Sequence, residues 1–207
     1  MKYVIFDFNG TVLDDVDVCI KAENYTIEHF KLDRKPLTKE EYLELFTFPV
    51  KRYYELVGFD WEKNSYEEVG QYWFNWYREL RNEYKVFDGV KEMLIKNHEH
   101  GNKNILLSAS SLKELKIQLV ELGISEYFDE VLGIDNIYAG SKVEIALNWI
   151  KDKDPKQCMM IGDSLHDLEV ARAMNVDCVL VAKGHQSKRI LLENYDKVVD
   201  DIREVKI

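Results

Sequence analysis

The chain has 207 residues, 46% hydrophobic and 32% charged, with a formal net charge of −10. This excludes a disordered chain, leaves room for a buried core with a modest insertion, and offers no run near the roughly 20 apolar residues of a membrane span. The negative charge argues against a nucleic-acid-binding surface, which needs clustered Lys and Arg, so any phosphate site has to be made locally positive by a metal ion, a lysine or helix N-termini.

Residues 2–7 predict a strand, in which Tyr3, Val4, Ile5 and Phe6 lead directly to Asp7. A strand that stops on an acid and then turns sharply presents a reactive group at the carboxyl edge of an α/β sheet. The Asn9-Gly10 pair that follows is equally a hairpin signal, so this segment alone leaves both readings open. From 14 to 87 the spacing turns helical. Cys19, Ala22, Thr26 and Phe30 share one face, and Thr38 with Glu41 forms a capping box ahead of Tyr42, Leu45 and Phe46. Residues 66–84 predict a third helix, whose stripe of Tyr72, Trp73, Trp76, Tyr77 and Leu80 reads as a packing face rather than a cofactor box. Lys51 and Arg52, after Phe48-Pro49, are candidates to meet a second anionic group of a ligand, or else a solvated helix start.

Beyond Phe87-Asp88-Gly89 strands and helices alternate. Helices are predicted at 89–98, from Ser111 and Glu114 to Gly123, after Ser141 and Glu144, and at 165–174. Strands are predicted at 104–108, 128–134, 158–161, 178–182 and 198–199. Alternation of this kind predicts the α/β class, with a doubly wound parallel sheet carrying helices on both faces. The helical block 14–87 is then an inserted α-helical cap domain, and 1–13 with 88–207 form the core domain. Cys19, Cys158 and Cys178 lack zinc spacing and read as buried free thiols. With no signal-sequence layout at the N-terminus, a reducing, cytoplasmic setting is expected.

A doubly wound sheet places its site at the carboxyl ends of central strands. Those ends carry Asp7, Ser108 in Leu106-Leu107-Ser108-Ala109-Ser110, Lys142 in Gly140-Ser141-Lys142, and Asp163 with Asp167 in Gly162-Asp163-Ser164-Leu165-His166-Asp167. Singly, each reads as a strand-end hydroxyl, a helix cap or a surface charge. Their joint occurrence at strand-to-helix junctions, in this order, points to one site.

Asp7-Phe8-Asn9-Gly10-Thr11, the later serine and lysine, the Gly-Asp-x-x-x-Asp segment and the flanking Gly184-His185-Gln186 together resemble the haloacid dehalogenase-like (HAD) hydrolase superfamily. The match covers nearly the whole chain and is nearest the phosphoglycolate-phosphatase-like branch with a helical cap. The resemblance implies a Rossmann-like core and Asp7 as the nucleophile of a phosphatase acting on a small phosphorylated metabolite through an aspartyl-phosphate. It further implies Mg²⁺ held by Asp7, the Asn9 backbone carbonyl and Asp163, with Asp167 in the outer shell. Ser108, the amides of Gly10 and Ala109, and Lys142 would hold the phosphate oxygens, Lys142 also offsetting the nucleophile's charge.

One position departs from the pattern. Where the family has a second Asp as general acid and base, this chain has Asn9, and an amide holds no proton to give. Three consequences are open: a substrate with a good leaving group, another side chain in the acid's place, or a slow enzyme that acts as a phosphate-binding regulatory module. A dehalogenase is disfavoured, because Asp163 and Asp167 are present. Nothing in the sequence fixes an oligomeric state.

Overall fold

The computed structural model describes residues 2–134 and 141–207, so Gly140 lies outside the described residues. In chain order the strands are β1 (Tyr3–Phe6), β2 (Leu13–Asp14), β3 (Lys85–Val86), β4 (Lys103–Ser111), β5 (Glu130–Ile134), β6 (Cys158–Gly162), β7 (Asp177–Val181) and β8 (Val198–Val199). The helices are α1 (Val16–His29), α2 (Lys39–Leu45), α3 (Val50–Val57), α4 (Tyr66–Glu79), α5 (Val90–Glu99), α6 (Leu112–Glu121), α7 (Lys142–Ile150), α8 (Leu165–Met174) and α9 (Lys188–Asn194).

β1 lies inside a six-stranded sheet of order β5-β4-β1-β6-β7-β8, with parallel pairing throughout. Its side chains alternate between two cores. Val4 and Phe6 pack with Leu94, Leu106 and Leu115 on one face, and Ile5 packs with Ile105, Leu107, Met160 and Leu168 on the other. A strand covered on both faces must be apolar on both, which is why β1 reads as a continuous run rather than an alternating one. The register sets Phe6 beside Leu106 on one side and Ile161 on the other. Asp7, Ser108 and Asp163 therefore emerge at the same sheet edge.

The hairpin alternative at Asn9-Gly10 does not occur, because both edges of β1 are taken by parallel partners. The chain instead makes a tight loop in which the Gly10 amide donates to the Leu13 carbonyl at 2.9 Å, with Gly10 at φ +76°. β2 then pairs antiparallel with β3, Leu13 opposite Val86 and Asp14 opposite Lys85. Two-residue strands carry no readable period, so this ribbon at the entry and exit of the helical block was invisible in the sequence. α1 and α4 pack together through Tyr25 against Trp76 (ring centroids 4.3 Å apart) and His29 stacked on Tyr72 (4.0 Å).

Several predicted boundaries shift. The Thr38 and Ser65 side chains cap α2 and α4 by accepting from Glu41 and Glu68 amides. Ser111 and Ser141 make no such bond. At Ser111 the reason is that β4 continues to that residue, paired with Ile134, before the chain turns directly into α6. α4 stops at Glu79, and a 3-10 turn at Ser125–Tyr127 delays β5 to Glu130.

Candidate active site

Asp7 follows β1 immediately, and its amide donates to the Ile161 carbonyl at 2.9 Å, which extends the ladder and fixes the direction of its side chain. The carboxylate is ion-paired with Lys142, the first residue of α7. The same ammonium donates to Asp167 at 2.6 Å, and its side chain is only 3% exposed. Asp167 is the third residue of α8. Its second oxygen accepts from the Asp163 and Ser164 amides (3.1 and 3.0 Å) and from the Ser164 hydroxyl (2.7 Å). The helix N-terminus supplies otherwise unpaired donors, and the acid answers them.

Asp163 accepts from the Thr11 hydroxyl at 3.2 Å and from the His185 amide at 2.6 Å. Ser108 is buried with its hydroxyl accepting from the Ser110 amide at 3.1 Å, while Ala109 is exposed to the cavity. The Ser110 hydroxyl donates to the Asn9 side-chain oxygen at 3.3 Å. A Cβ on Gly10 would be driven into Asp163 and the His185 ring, so only glycine suits both the left-handed backbone and this close approach.

Carboxylate oxygens of Asp7, Asp163 and Asp167 lie within 4.8 Å of one another. Burial pushes Asp7 up to about 8 despite the Lys142 charge, with Asp167 and Asp163 adding to the rise. Burial likewise lifts Asp163 to about 6, against the pull of the His185 charge. Asp167 is also buried, but the Lys142 charge and hydrogen bond outweigh that and hold it below the usual carboxylate range. Lys142 is raised above its ordinary value, its burial being overcome by Asp167 and Asp7.

Four buried acids, Asp7, Asp15, Asp163 and Asp167, face two buried cations, Lys142 and His185. This excess of acids over cations and the hard oxygen donors of Asp7 and Asp163 fit a divalent cation, with Asp167, already committed to Lys142 and to its own helix N-terminus, beside it.

Asp15, Cys19 and His185 meet the same spacing, but their donors and acceptors are already spent. Asp15 accepts from the Asn9 side-chain amide (2.7 Å), the Tyr77 hydroxyl (2.9 Å), the Gly10 amide (3.0 Å) and His185 Nε2 (3.2 Å). Burial keeps the Cys19 thiol well above its usual value and protonated, which makes it a poor ligand. Although burial opposes it, Asp15 holds His185 charged, raised to about 9. The group is a hydrogen-bond network behind Asn9. Little in the sequence signals it. Asp15 precedes α1 as an apparent cap, yet caps nothing because its carboxylate turns inward. His185 stood only as a flank of the last motif.

A cavity of about 540 Å³ lies between the helical block and the sheet edge, above these acids. Phe48 stacks on His166 (4.4 Å), Phe46 lies against His185 (5.0 Å), and the Tyr42 hydroxyl bonds His185 Nδ1 at 2.8 Å. The aromatic stripe of α4 serves two purposes. Tyr72 and Trp76 pack on α1, as expected of a packing face, whereas Trp73 and Tyr77 line the cavity.

Lys51 and Arg52 are not among the cavity's lining residues. Helical geometry turns Val50, Tyr53 and Tyr54 inward and points these two cations out, Arg52 to Glu55 (3.0 Å) and Lys51 over the Trp61 ring (5.7 Å). Cys19, Cys158 and Cys178 are buried free thiols, and among the described residues no helix is long and apolar enough to cross a membrane.

A family model described as haloacid dehalogenase-like hydrolase matches residues 4–181. A phosphoglycolate phosphatase from Photobacterium profundum is 25% identical, the alignment covering 99% of this chain and 94% of the relative. A 5′-nucleotidase from Pseudomonas aeruginosa is 24% identical over 89% of this chain and 84% of its own length. The solved structure of a haloacid dehalogenase-like family hydrolase from Streptococcus pneumoniae superposes with a TM-score of 0.80 at 18% identity, covering 97% of this chain and 94% of that one. The chain belongs to the haloacid dehalogenase-like hydrolase family.

Proposed function

We infer that the protein is a Mg²⁺-dependent phosphomonoesterase in which Asp7 is the phosphoryl acceptor, with residues 14–87 acting as a cap over a core formed by 1–13 and 88–207. The observation that carries this is the convergence at one sheet edge of Asp7, Asp163, Asp167 and the buried Lys142. The relatives named phosphatase and nucleotidase agree with it.

An Asp7 oxygen attacks phosphorus, and the bond from phosphorus to the ester oxygen breaks as the new one forms. Water then attacks the same phosphorus, releasing phosphate and the free carboxylate. Asp7, Asp163 and the Asn9 carbonyl would hold the metal, with Asp167 orienting one of its waters; when bound, the ion neutralises charge on the transferring phosphoryl group. Lys142 offsets the charge of Asp7 and Asp167 and holds both in place, and Ser108 with the Ala109 amide holds the phosphoryl oxygens, the Gly10 amide being already spent on Leu13 and Asp15.

The test is phosphate release from an aryl phosphate with Mg²⁺ and with a chelator, for the natural chain and for Asp7→Asn. Metal-dependent release that the variant abolishes is the expected result. Phosphate binding without turnover would instead favour the regulatory module.

A further inference from the structure

The two relatives carry different substrates in their names, so the leaving group has to be read from the cavity. Three independent observations bear on it. The first is the missing acid. The Asn9 amide nitrogen donates to Asp15 and to the Tyr77 hydroxyl (3.0 Å), and its oxygen accepts from Ser110. It has no proton for a departing oxygen. An alkoxide leaves poorly without one, whereas a phenol ionises at about 10, so its oxygen departs as the anion far more readily.

The second is the lining. Phe46, Phe48, Tyr54, Trp73 and Tyr77 surround a volume of about 540 Å³, in the range that encloses ring-bearing ligands and far beyond a two-carbon acid. The third is a pair of orphaned polar groups. Glu23 and Tyr53 are 1% and 3% exposed and both line this cavity. Among the described residues, neither Glu23 Oε1 nor the Tyr53 hydroxyl has a hydrogen-bond partner. Arg34, whose charge reaches Glu23, gives its guanidinium N–H groups to the Val57 and Lys35 carbonyls and to Glu41. A buried carboxyl oxygen and a buried hydroxyl left unpaired are costly to the fold, and a ligand donor entering the cavity satisfies them.

We propose that the cavity takes an aryl phosphate carrying an N–H donor, its ring among the aromatic side chains and its donor on Glu23 and Tyr53. The proposal rests on Asp7 being the phosphoryl acceptor. The Asp7 oxygen–phosphorus bond forms as the phosphorus–aryl oxygen bond breaks. The aryloxide leaves with the electron pair and takes its proton from solvent. In the second step water's oxygen bonds phosphorus, the Asp7 oxygen departs, and water's proton goes to solvent.

The experiment compares kcat/KM for ribose 5-phosphate, phenyl phosphate and O-phosphotyramine, which adds an ammonium arm to the same ring. Phenyl phosphate is expected to exceed ribose 5-phosphate by on the order of 10²-fold, and O-phosphotyramine to exceed phenyl phosphate by about tenfold. Glu23→Leu removes a buried carboxyl with an unpaired oxygen, so it is expected to fold at least as stably and to erase the second gain; Glu23→Gln, which keeps an acceptor oxygen, retains part of it. Equal rates for the sugar and phenyl esters overturn the proposal, as does a tyramine advantage that survives Glu23→Leu.

Binding supplies a second arm. Tyramine is expected to raise the melting temperature of Asp7→Asn but not of Asp7→Asn/Glu23→Leu. If no ester is hydrolysed and tyramine still binds through Glu23, the hydrolytic reading falls and the assignment of the cavity stands. If all the esters are hydrolysed without preference, the assignment falls and the hydrolytic reading stands.

Discussion

The Asn9 side-chain nitrogen donates to a carboxylate oxygen of Asp15 at 2.7 Å, so the position where the family's pattern has an acid is tied to a fully buried acid six residues on. Asn9→Asp therefore does more than restore a general acid. It sets two carboxylates at hydrogen-bonding distance, which forces one to stay protonated and costs about 1–3 kcal/mol. Asn9→Asp/Asp15→Asn reverses the polarity of the bond and conserves charge. Because Asp15 also pairs with the buried His185, the double variant is expected to recover only part of the lost stability in urea unfolding, and to raise turnover of ribose 5-phosphate by roughly 10² or more. Unchanged turnover of this alkyl ester would count against a missing acid.

Lys142 stands between Asp7 and Asp167, buried with both. Lys142→Met leaves two buried carboxylates without their cation and is expected to cost about 3–5 kcal/mol. Urea unfolding in chelator measures this directly. A loss well under 1 kcal/mol would mean that water or a rearranged side chain takes the lysine's place.

The metal-free protein is expected to lose stability as pH rises. Asp7 and Asp163 go from 3.8 to about 8 and about 6 on folding, so their contribution is complete in acid and falls away between about pH 4 and pH 8. His185, raised from 6.5 to about 9, acts in the same sense, its contribution complete below 6.5 and lost as pH rises through 9. Asp15 and Asp167 are held below 3.8 and matter only in stronger acid, where their stabilisation disappears. Melting temperatures in chelator should fall across that range. At a fixed Mg²⁺ concentration the stabilisation should be largest at the alkaline end, where the acids are free to bind the ion, and about 2.7 kcal/mol where that concentration is a hundredfold the Kd. A flat profile in chelator contradicts the account of buried, uncompensated acids.

Gly10→Ala asks an L-residue to adopt φ +76° while its Cβ pushes on Asp163 and His185. The backbone cost alone is about 1–2 kcal/mol. Because the overlap falls on Asp163, Mg²⁺ affinity measured by calorimetry should drop as well, unlike a purely structural lesion.

Much of this site was legible because strand ends carry it. Asp7, Ser108 and Asp163 each close an apolar run, and a parallel register brings such ends to one edge. Lys142 and Asp167 open helices that begin at that edge. The inward members were not legible. Asp15 and Glu23 look like ordinary helix acids until tertiary packing closes over them, and Tyr53 and Tyr77 look like core aromatics until the cavity is seen. Of the two readings open for Lys51 and Arg52 the solvated helix start holds, and the sequence could not choose, since position after a Pro says nothing of which way a helical turn faces. The ribbon of β2 and β3 was too short to leave a pattern.

Acid quenching of the protein during turnover of phenyl phosphate with Mg²⁺, followed by peptide mass spectrometry, tests the central claim most directly. Asn9 has no proton to give and cannot take one from water, so the second step is slow and the acyl phosphate accumulates. The expected result is a phosphoryl group on the peptide carrying Asp7, preceded by a burst of phenol and absent from Asp7→Asn. Full turnover with that peptide unmodified at every time point, or a phosphoryl group on another residue, would contradict it.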